Sequence, residues 1–226
     1  MTPHAPRPEP PPLLDARVAQ RDVPHVYGRV AWIYDVWAAL TESRARRACL
    51  ARAAPRDGES ILEVAAGTGI LFRELVLANP SGRTEGIDIT DAMLARARRR
   101  VAELPGRHRL RVGDAHHLDF DDHTFDLVVN NYMFDLLPEA DFAPVLAELL
   151  RVLRSGGRLV LVNMAVADHW PQRVYEAVYR VGPSLLGGCR GVSLAPYVAR
   201  AGFIDVSVEH LSQLGFPSEL VTARAA

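Results

Sequence analysis

From Ser60 onward the chain alternates short strand-like runs with longer segments whose apolar residues recur every three or four positions. Runs at 60–65, 83–88, 109–112, 125–130 and 157–164 have the length of strands buried on both faces. Between them Met93, Leu94, Ala97, Val101 and Leu104 keep helical spacing, as do Phe142, Val145, Leu146, Leu149 and Leu153. Such alternation predicts an α/β fold built on a doubly wound, mostly parallel sheet. After Gly202 two further β-like runs, 203–211 and 219–223, flank Gly215-Phe216-Pro217-Ser218. Strands joined by so short a connection pair antiparallel, so a seven-stranded sheet with a C-terminal antiparallel hairpin strand is expected.

The first two strands end on acids. Ile61-Leu62-Glu63-Val64-Ala65-Ala66-Gly67-Thr68-Gly69 hands over to a helix, and Glu85-Gly86-Ile87-Asp88 closes the next run. An apolar strand that stops at glycines before a helix is how open α/β sheets build nucleotide sites, because glycine lets backbone approach the ligand. Glu63 bears on which ligand. A dinucleotide brings an anionic pyrophosphate, which a carboxylate repels, whereas S-adenosylmethionine brings an ammonium and a sulfonium. Phe72 also stands where the dinucleotide fingerprint needs a third glycine. Asp88, nineteen residues beyond Gly69, suits a ribose diol, a need that both cofactor classes share.

Taken together these residues resemble the class I S-adenosylmethionine-dependent methyltransferase superfamily, a Rossmann-like fold. The loop from Glu63 to Gly69 is similar to its first motif, Asp88 to the second, Gly113-Asp114-Ala115 to the third, and Phe125-Asp126-Leu127-Val128-Val129-Asn130-Asn131 to the fourth. Leu150-Arg151-Val152-Leu153-Arg154-Ser155-Gly156-Gly157-Arg158-Leu159 is similar to the turn into the family's fifth strand. The family often has glycine where Ala65 stands. The resemblance implies that Glu63 receives the methionine ammonium, Gly67, Thr68 and Gly69 line the methionyl and ribose atoms, and Asp88 takes the ribose hydroxyls. It further implies that Ile89 and Met93 sandwich the adenine, that Asp114 accepts its amine beside Gly113 and Ala115, and that Asn131 holds the ammonium through its carbonyl. An acid ending a strand also caps the next turn in many proteins, which leaves Asp88 and Asp114 a second role.

Upstream, Ala31-x-x-Tyr34-Asp35-x-Trp37 is similar to the N-terminal helix of ubiquinone/menaquinone-biosynthesis-type methyltransferases. Tyr27 and Tyr34, seven residues apart, share one helical face and on that resemblance close over the methionine end. Residues 13–55 are therefore expected to form capping helices, and 56–226 the cofactor-binding domain. Residues 1–12 carry six prolines and little to bury, which predicts a disordered tail and no signal peptide.

Composition narrows the function. All 26 basic residues are arginine, so no lysine is present for a Schiff base, and a net charge of −1 lacks the basic excess that holds nucleic acid. Two cysteines make no disulfide framework, and no apolar stretch has the length of a membrane span, so a cytoplasmic enzyme with a small-molecule substrate is expected. Whether it forms a homodimer stays open. No metal site is expected.

The chemistry is less legible. Displacement at a sulfonium needs alignment and dryness, and needs a base only where the acceptor arrives protonated. His169, after the fifth strand, is the candidate base, with Tyr132 and Asp135 as pocket residues. The apolar, glycine-hinged segment 169–200 suits a lid, and its Arg190 suits either a substrate anion or a structural ion pair. A fold-mate that binds the cofactor without methyl transfer, and less favourably an NAD(P)-dependent oxidoreductase, are the alternatives.

Overall fold

The computed structural model describes residues 42–166 and 190–226. Tyr27, Tyr34, His169, the proline-rich tail and most of the expected lid lie outside the described residues. Within them, helix α1 spans Ser43–Ala53, followed by β1 (Ser60–Val64), α2 (Ile70–Ala78), β2 (Arg83–Asp88), α3 (Asp91–Val101), β3 (Arg107–Val112) and β4 (Phe125–Asn131). A 3₁₀ turn (Glu139–Asp141) then leads to α4 (Phe142–Val152), β5 (Leu153–Met164), α5 (Ala195–Arg200), β6 (Ile204–Gln213) and β7 (Phe216–Arg224).

The seven strands form one sheet in the order β3-β2-β1-β4-β5-β7-β6. The first five are parallel, while β7 runs antiparallel between β5 and β6. This is the mostly parallel, doubly wound sheet with an antiparallel ending that the apolar pattern predicts. Two boundaries differ from expectation. β5 starts at Leu153, not at residue 157, because Leu153 pairs with Phe125 before a bulge restores register at Leu127 and Arg158. The hairpin connection is only Leu214-Gly215, since Phe216 pairs with Gln213 and Pro217 and Ser218 already lie in β7.

Alternation along the strands divides the core. Ile61, Leu127, Val129, Val160 and Val162 face Ala45 and Cys49 of α1 and Leu71 and Leu75 of α2. Leu62, Val128, Leu159 and Leu161 face Phe142, Val145, Leu146 and Leu149 of α4. Each fully buried leucine or phenylalanine contributes about 1.5–3 kcal/mol, enough to fix which side chains of β1 point to which layer. Glu63 is thereby forced onto the α1 and α2 side, in phase with Ile61. Phe72 fills the third-glycine position of a dinucleotide fold. Close approach comes from the strand instead, where a Cβ on Gly86 would lie 2.8 Å from the Phe72 ring. None of the described helices is long and apolar enough to cross a membrane.

Candidate functional site

The carboxyl ends of β1, β2, β3 and β4 converge on the β1–α2 loop. That loop turns through left-handed backbone at Ala65 (φ 57°), Gly67 (φ 54°) and Gly69 (φ 78°). A Cβ on Gly69 would strike Ala97 at 2.7 Å, so glycine there lets α2 rest on α3, whereas a Cβ on Gly67 would meet open space. Ala65 adopts the same conformation with its Cβ in place, at a cost of roughly 1–2 kcal/mol. Asp88 holds the loop: its Oδ2 accepts from Gly67 N and its Oδ1 from Thr90 N, both at 2.8 Å. Burial pushes the Asp88 carboxyl up, and these two amides pull it back only in part. From α3, Arg100 Nε donates to Thr68 O at 3.0 Å and braces the loop.

Two cavities meet across this loop, both bordered by Ala65, Gly67, Asn131 and Tyr132. The larger, about 140 Å³, is walled by Ile87, Ile89, Met93, Met133, Leu136 and Leu137, with Asp88, Gly113, Asp114, Ala115 and His116 on its rim. It accepts a flat apolar group with polar edges. The smaller, about 70 Å³, is lined by Glu42 and Arg46 of α1, by Glu63, and by Thr68. Among the described residues, Glu63 Oε2 is buried with no hydrogen-bond partner, and so are Arg46 Nε and Asn131 Oδ1. Arg46 Nε lies 3.7 Å from Glu74 Oε2, beyond hydrogen bonding. Burial first, then Asp88 and Glu74, raises the Glu63 carboxyl well above its ordinary range. Glu42 is pushed up to about 8 by burial and by Asp135, with Arg46 opposing.

Of the residues singled out in the sequence, Ala65, Gly67, Asp88, Ile89, Met93, Gly113, Asp114, Ala115 and Asn131 line the larger cavity. Glu63 and Thr68 line the smaller. Gly69 lies in neither and serves the α2–α3 contact. Tyr132 walls both, but its hydroxyl is 2.7 Å from Ser218 Oγ inside the sheet, an arrangement that suits a wall better than a proton carrier. Asp114 does cap its own turn, since Oδ1 accepts from His116 N at 3.0 Å. Arg190 is fully buried: its guanidinium donates to Leu137 O and lies over the Phe142 ring, and its backbone N–H donates to Asp135 O at 3.2 Å. It braces the cavity wall and is closed to a substrate anion.

Glu42 and Arg46 are the site residues that the motifs do not reveal. Their signal is a carboxylate and a guanidinium four residues apart at the start of α1, one turn that the sequence reads only as part of a cap. An apolar slot with polar edges, joined to a pocket holding a buried unpaired carboxylate and a guanidinium, fits a nucleoside whose tail carries an ammonium and a carboxylate.

Comparison with known proteins agrees. Residues 61–157 match a family model described as a methyltransferase domain. The chain is 38% identical over 146 residues to a phosphatidylethanolamine N-methyltransferase of Cereibacter sphaeroides, covering 64% of this chain and 69% of that one. It is 38% identical over 159 residues to the ubiquinone/menaquinone biosynthesis C-methyltransferase UbiE of Paracoccus denitrificans, covering 66% and 62%. In fold it is similar to the (4+2)-cyclase SpnF (TM-score 0.70, 18% identity, 92% and 97% covered). The geranyl diphosphate C-methyltransferase of Streptomyces coelicolor A3(2), solved with S-adenosyl-L-homocysteine, is similar too (TM-score 0.66, 17% identity, 82% and 79% covered). The cyclase and the prenyl methyltransferase share a sheet, which carries architecture and not chemistry. Sequence identity across more than two thirds of a named methyltransferase goes further, and the chain belongs to the class I S-adenosylmethionine-dependent methyltransferases.

Proposed function

We propose that this protein transfers a methyl group from S-adenosylmethionine to a small lipophilic or aromatic metabolite, at carbon, oxygen or nitrogen. The observation that carries the reading is the unpartnered, buried Glu63 Oε2 in a pocket continuous with an apolar slot. Glu63 receives the ammonium with the Asn131 carbonyl, and Arg46 takes the carboxylate. Asp88 accepts the ribose hydroxyls with the lone pairs that Gly67 and Thr90 leave free. Ile89 and Met93 flank the adenine, and Asp114 accepts its amine.

When bound, S-adenosylmethionine supplies a methyl group on a sulfonium. Because the positive charge leaves sulfur with that methyl, the protein's contribution is alignment and exclusion of water, worth up to roughly 7–11 kcal/mol. Met133, Leu136 and Leu137 supply a dry wall. His169 takes the acceptor's proton where the acceptor is a phenol or an activated carbon, and His169→Ala then lowers turnover by roughly 10²–10⁴ with cofactor affinity intact. Lipophilic acceptors are also in keeping with the quinone and phospholipid named for the relatives. A cytoplasmic setting and freedom from nucleic acid rest on composition, and a homodimer remains a question for sedimentation.

Calorimetry with S-adenosylmethionine, S-adenosylhomocysteine and NAD(P) tests the cofactor. Either adenosyl ligand should bind tighter than the dinucleotides and raise the melting temperature with excess ligand. Tighter binding of NAD or NADP sinks the reading. Transfer of labelled methyl into quinol-, phenol- and amine-type acceptors tests the chemistry, and binding without transfer to any of them favours the non-methylating alternative.

A further inference from the structure

His116 sits on the rim of the larger cavity between two acids from different parts of the fold. Its Nδ1 lies 2.7 Å from Asp114 Oδ1, and its Nε2 lies 3.4 Å from Asp141 Oδ2. Asp114 belongs to the loop after β3. Asp141 ends the 3₁₀ turn before α4, downstream of the Met133, Leu136 and Leu137 wall. The imidazole therefore joins the two sides of the nucleoside slot.

The chemistry of that bridge favours one charge state of the ring, since its Nδ1 contact with Asp114 is a hydrogen bond and its Nε2 contact with Asp141 an ion pair at 3.4 Å. An ionised carboxylate only accepts hydrogen bonds, and a neutral imidazole has a single N–H. Two carboxylates can both be served only by the imidazolium. The same contact orients Asp114. Its Oδ1 is occupied twice, by the His116 amide at 3.0 Å and the His116 ring, which leaves Oδ2 for a ligand.

We propose that His116 is the positioning residue of the nucleoside end: as an imidazolium it fixes the Asp114 carboxylate and ties the 113–117 loop to the 3₁₀ turn, making recognition of an adenosine group proton-dependent. The proposal rests on the cofactor reading above. The charged groups around it agree in direction. Burial alone pushes the imidazole down, but the hydrogen bond and charge of Asp114, joined by Asp141, carry it above its ordinary value. Asp114 is held below its own ordinary value in spite of burial by the His116 amide and ring and by the charge of His117. Asp88, on the same cavity from β2, is engaged by Gly67 and Thr90. The latch is thus intact at low pH and lost as pH rises through the His116 pKa.

The test uses 5′-methylthioadenosine, which has the nucleoside and no ammonium, so that Glu63 stays out of the reading. Its affinity for the whole protein is measured by calorimetry from about pH 6 to about pH 9, across the range where a histidine with a raised pKa titrates. Affinity should fall roughly three- to fivefold with rising pH, the scale of partly exposed ion pairs. His116→Gln should be flat at the weaker level, and Asp141→Ala should weaken binding at low pH and shrink the pH dependence. Histidine nitrogen resonances of the wild type should show both His116 ring nitrogens protonated at neutral pH. A flat wild-type profile, full affinity in His116→Gln, or a neutral ring at pH 7 overturns the proposal. S-adenosylhomocysteine binding in the same samples keeps the two readings apart. If it binds while the methylthioadenosine profile is flat, this inference alone fails, and if neither ligand binds at any pH, the cofactor reading falls and takes the inference with it.

Discussion

The two ends of the cleft solve the problem of charge in opposite ways. At the nucleoside end His116, Asp114 and Asp141 are partly exposed and already paired. At the methionine end Glu63 and Glu42 are buried, and among the described residues neither Glu63 Oε2 nor Arg46 Nε has a hydrogen-bond partner. One end is finished before the ligand arrives. The other is left incomplete, and burial raises the Glu63 and Glu42 carboxyls above their ordinary range, which favours their protonated form until a cationic ligand arrives. Affinity for the whole cofactor then combines a nucleoside term that weakens with pH and a methionine term that strengthens with it.

Asp88→Ala should blur this difference most, because Asp88 is proposed to serve the ribose and anchors Gly67, which borders both cavities. Affinity for S-adenosylhomocysteine and for 5′-methylthioadenosine should both fall about 10- to 150-fold, the worth of a hydrogen bond to a charged group. Loss for one ligand only would show that Asp88 serves a single end. Glu63→Gln should separate the ends. S-adenosylhomocysteine should bind roughly tenfold more weakly, towards the lower end of that range because native Glu63 must first lose its proton, while methylthioadenosine stays within about twofold. Equal losses for both ligands would remove Glu63 from the ammonium subsite.

Acidity gives a third measure. Between about pH 6.5 and about pH 7.5 the methionine end should strengthen S-adenosylhomocysteine binding by at most tenfold, with protons released on binding and counted in buffers of different ionisation enthalpy. Proton uptake on binding would contradict it. Without ligand the sign reverses. Glu63 and Glu42 have folded pKa values raised above their unfolded ones, Glu42 to about 8, so the folded state holds the extra protons. Their stabilising contribution is complete below the ordinary glutamate range and is lost as pH climbs towards 8, so the empty protein should melt at lower temperature at pH 8 than at pH 5.5. Ala65→Gly should have the smallest effect. Relief of the left-handed alanine, less the entropy that glycine adds to the unfolded chain, should leave roughly 0.5–1 kcal/mol, or a rise of about 1–4 °C in melting temperature. A fall would mean that the Ala65 Cβ packs usefully.

Strand positions in the sheet were legible where one physical rule sufficed. β1 and β4 are apolar runs and β2 ends on Asp88, and all three appear in the structure within two residues of their expected bounds. β5 was misjudged at its start because Gly156-Gly157 reads as a turn, whereas a bulge lets Leu153 pair with Phe125 ahead of it. Motif spacing put nine of the expected residues around the larger cavity, since those positions follow the carboxyl ends of strands in any doubly wound sheet. Glu42, Arg46 and the link from His116 to Asp141 were hidden for a different reason. They depend on where α1 and the 3₁₀ turn lie against the loops, and no local pattern encodes a contact between residues 25 apart.

The place of β7 has a kinetic consequence. The strand that follows β6 in the chain lies inside β6 in the sheet, and it joins β5 through pairs as distant as Arg158 with Arg224. The β6–β7 hairpin closes over two residues and can form quickly, but its docking must wait for a long loop to close, and such non-local pairings are the slow part of folding. Until then β5 is a bare edge carrying Val160, Leu161 and Val162, a template for another chain to add to. The molecule should be most prone to aggregate in that interval, and pulsed hydrogen exchange should find the amides between β5 and β7 protected after those between β1 and β2, whose partners lie 23 residues apart.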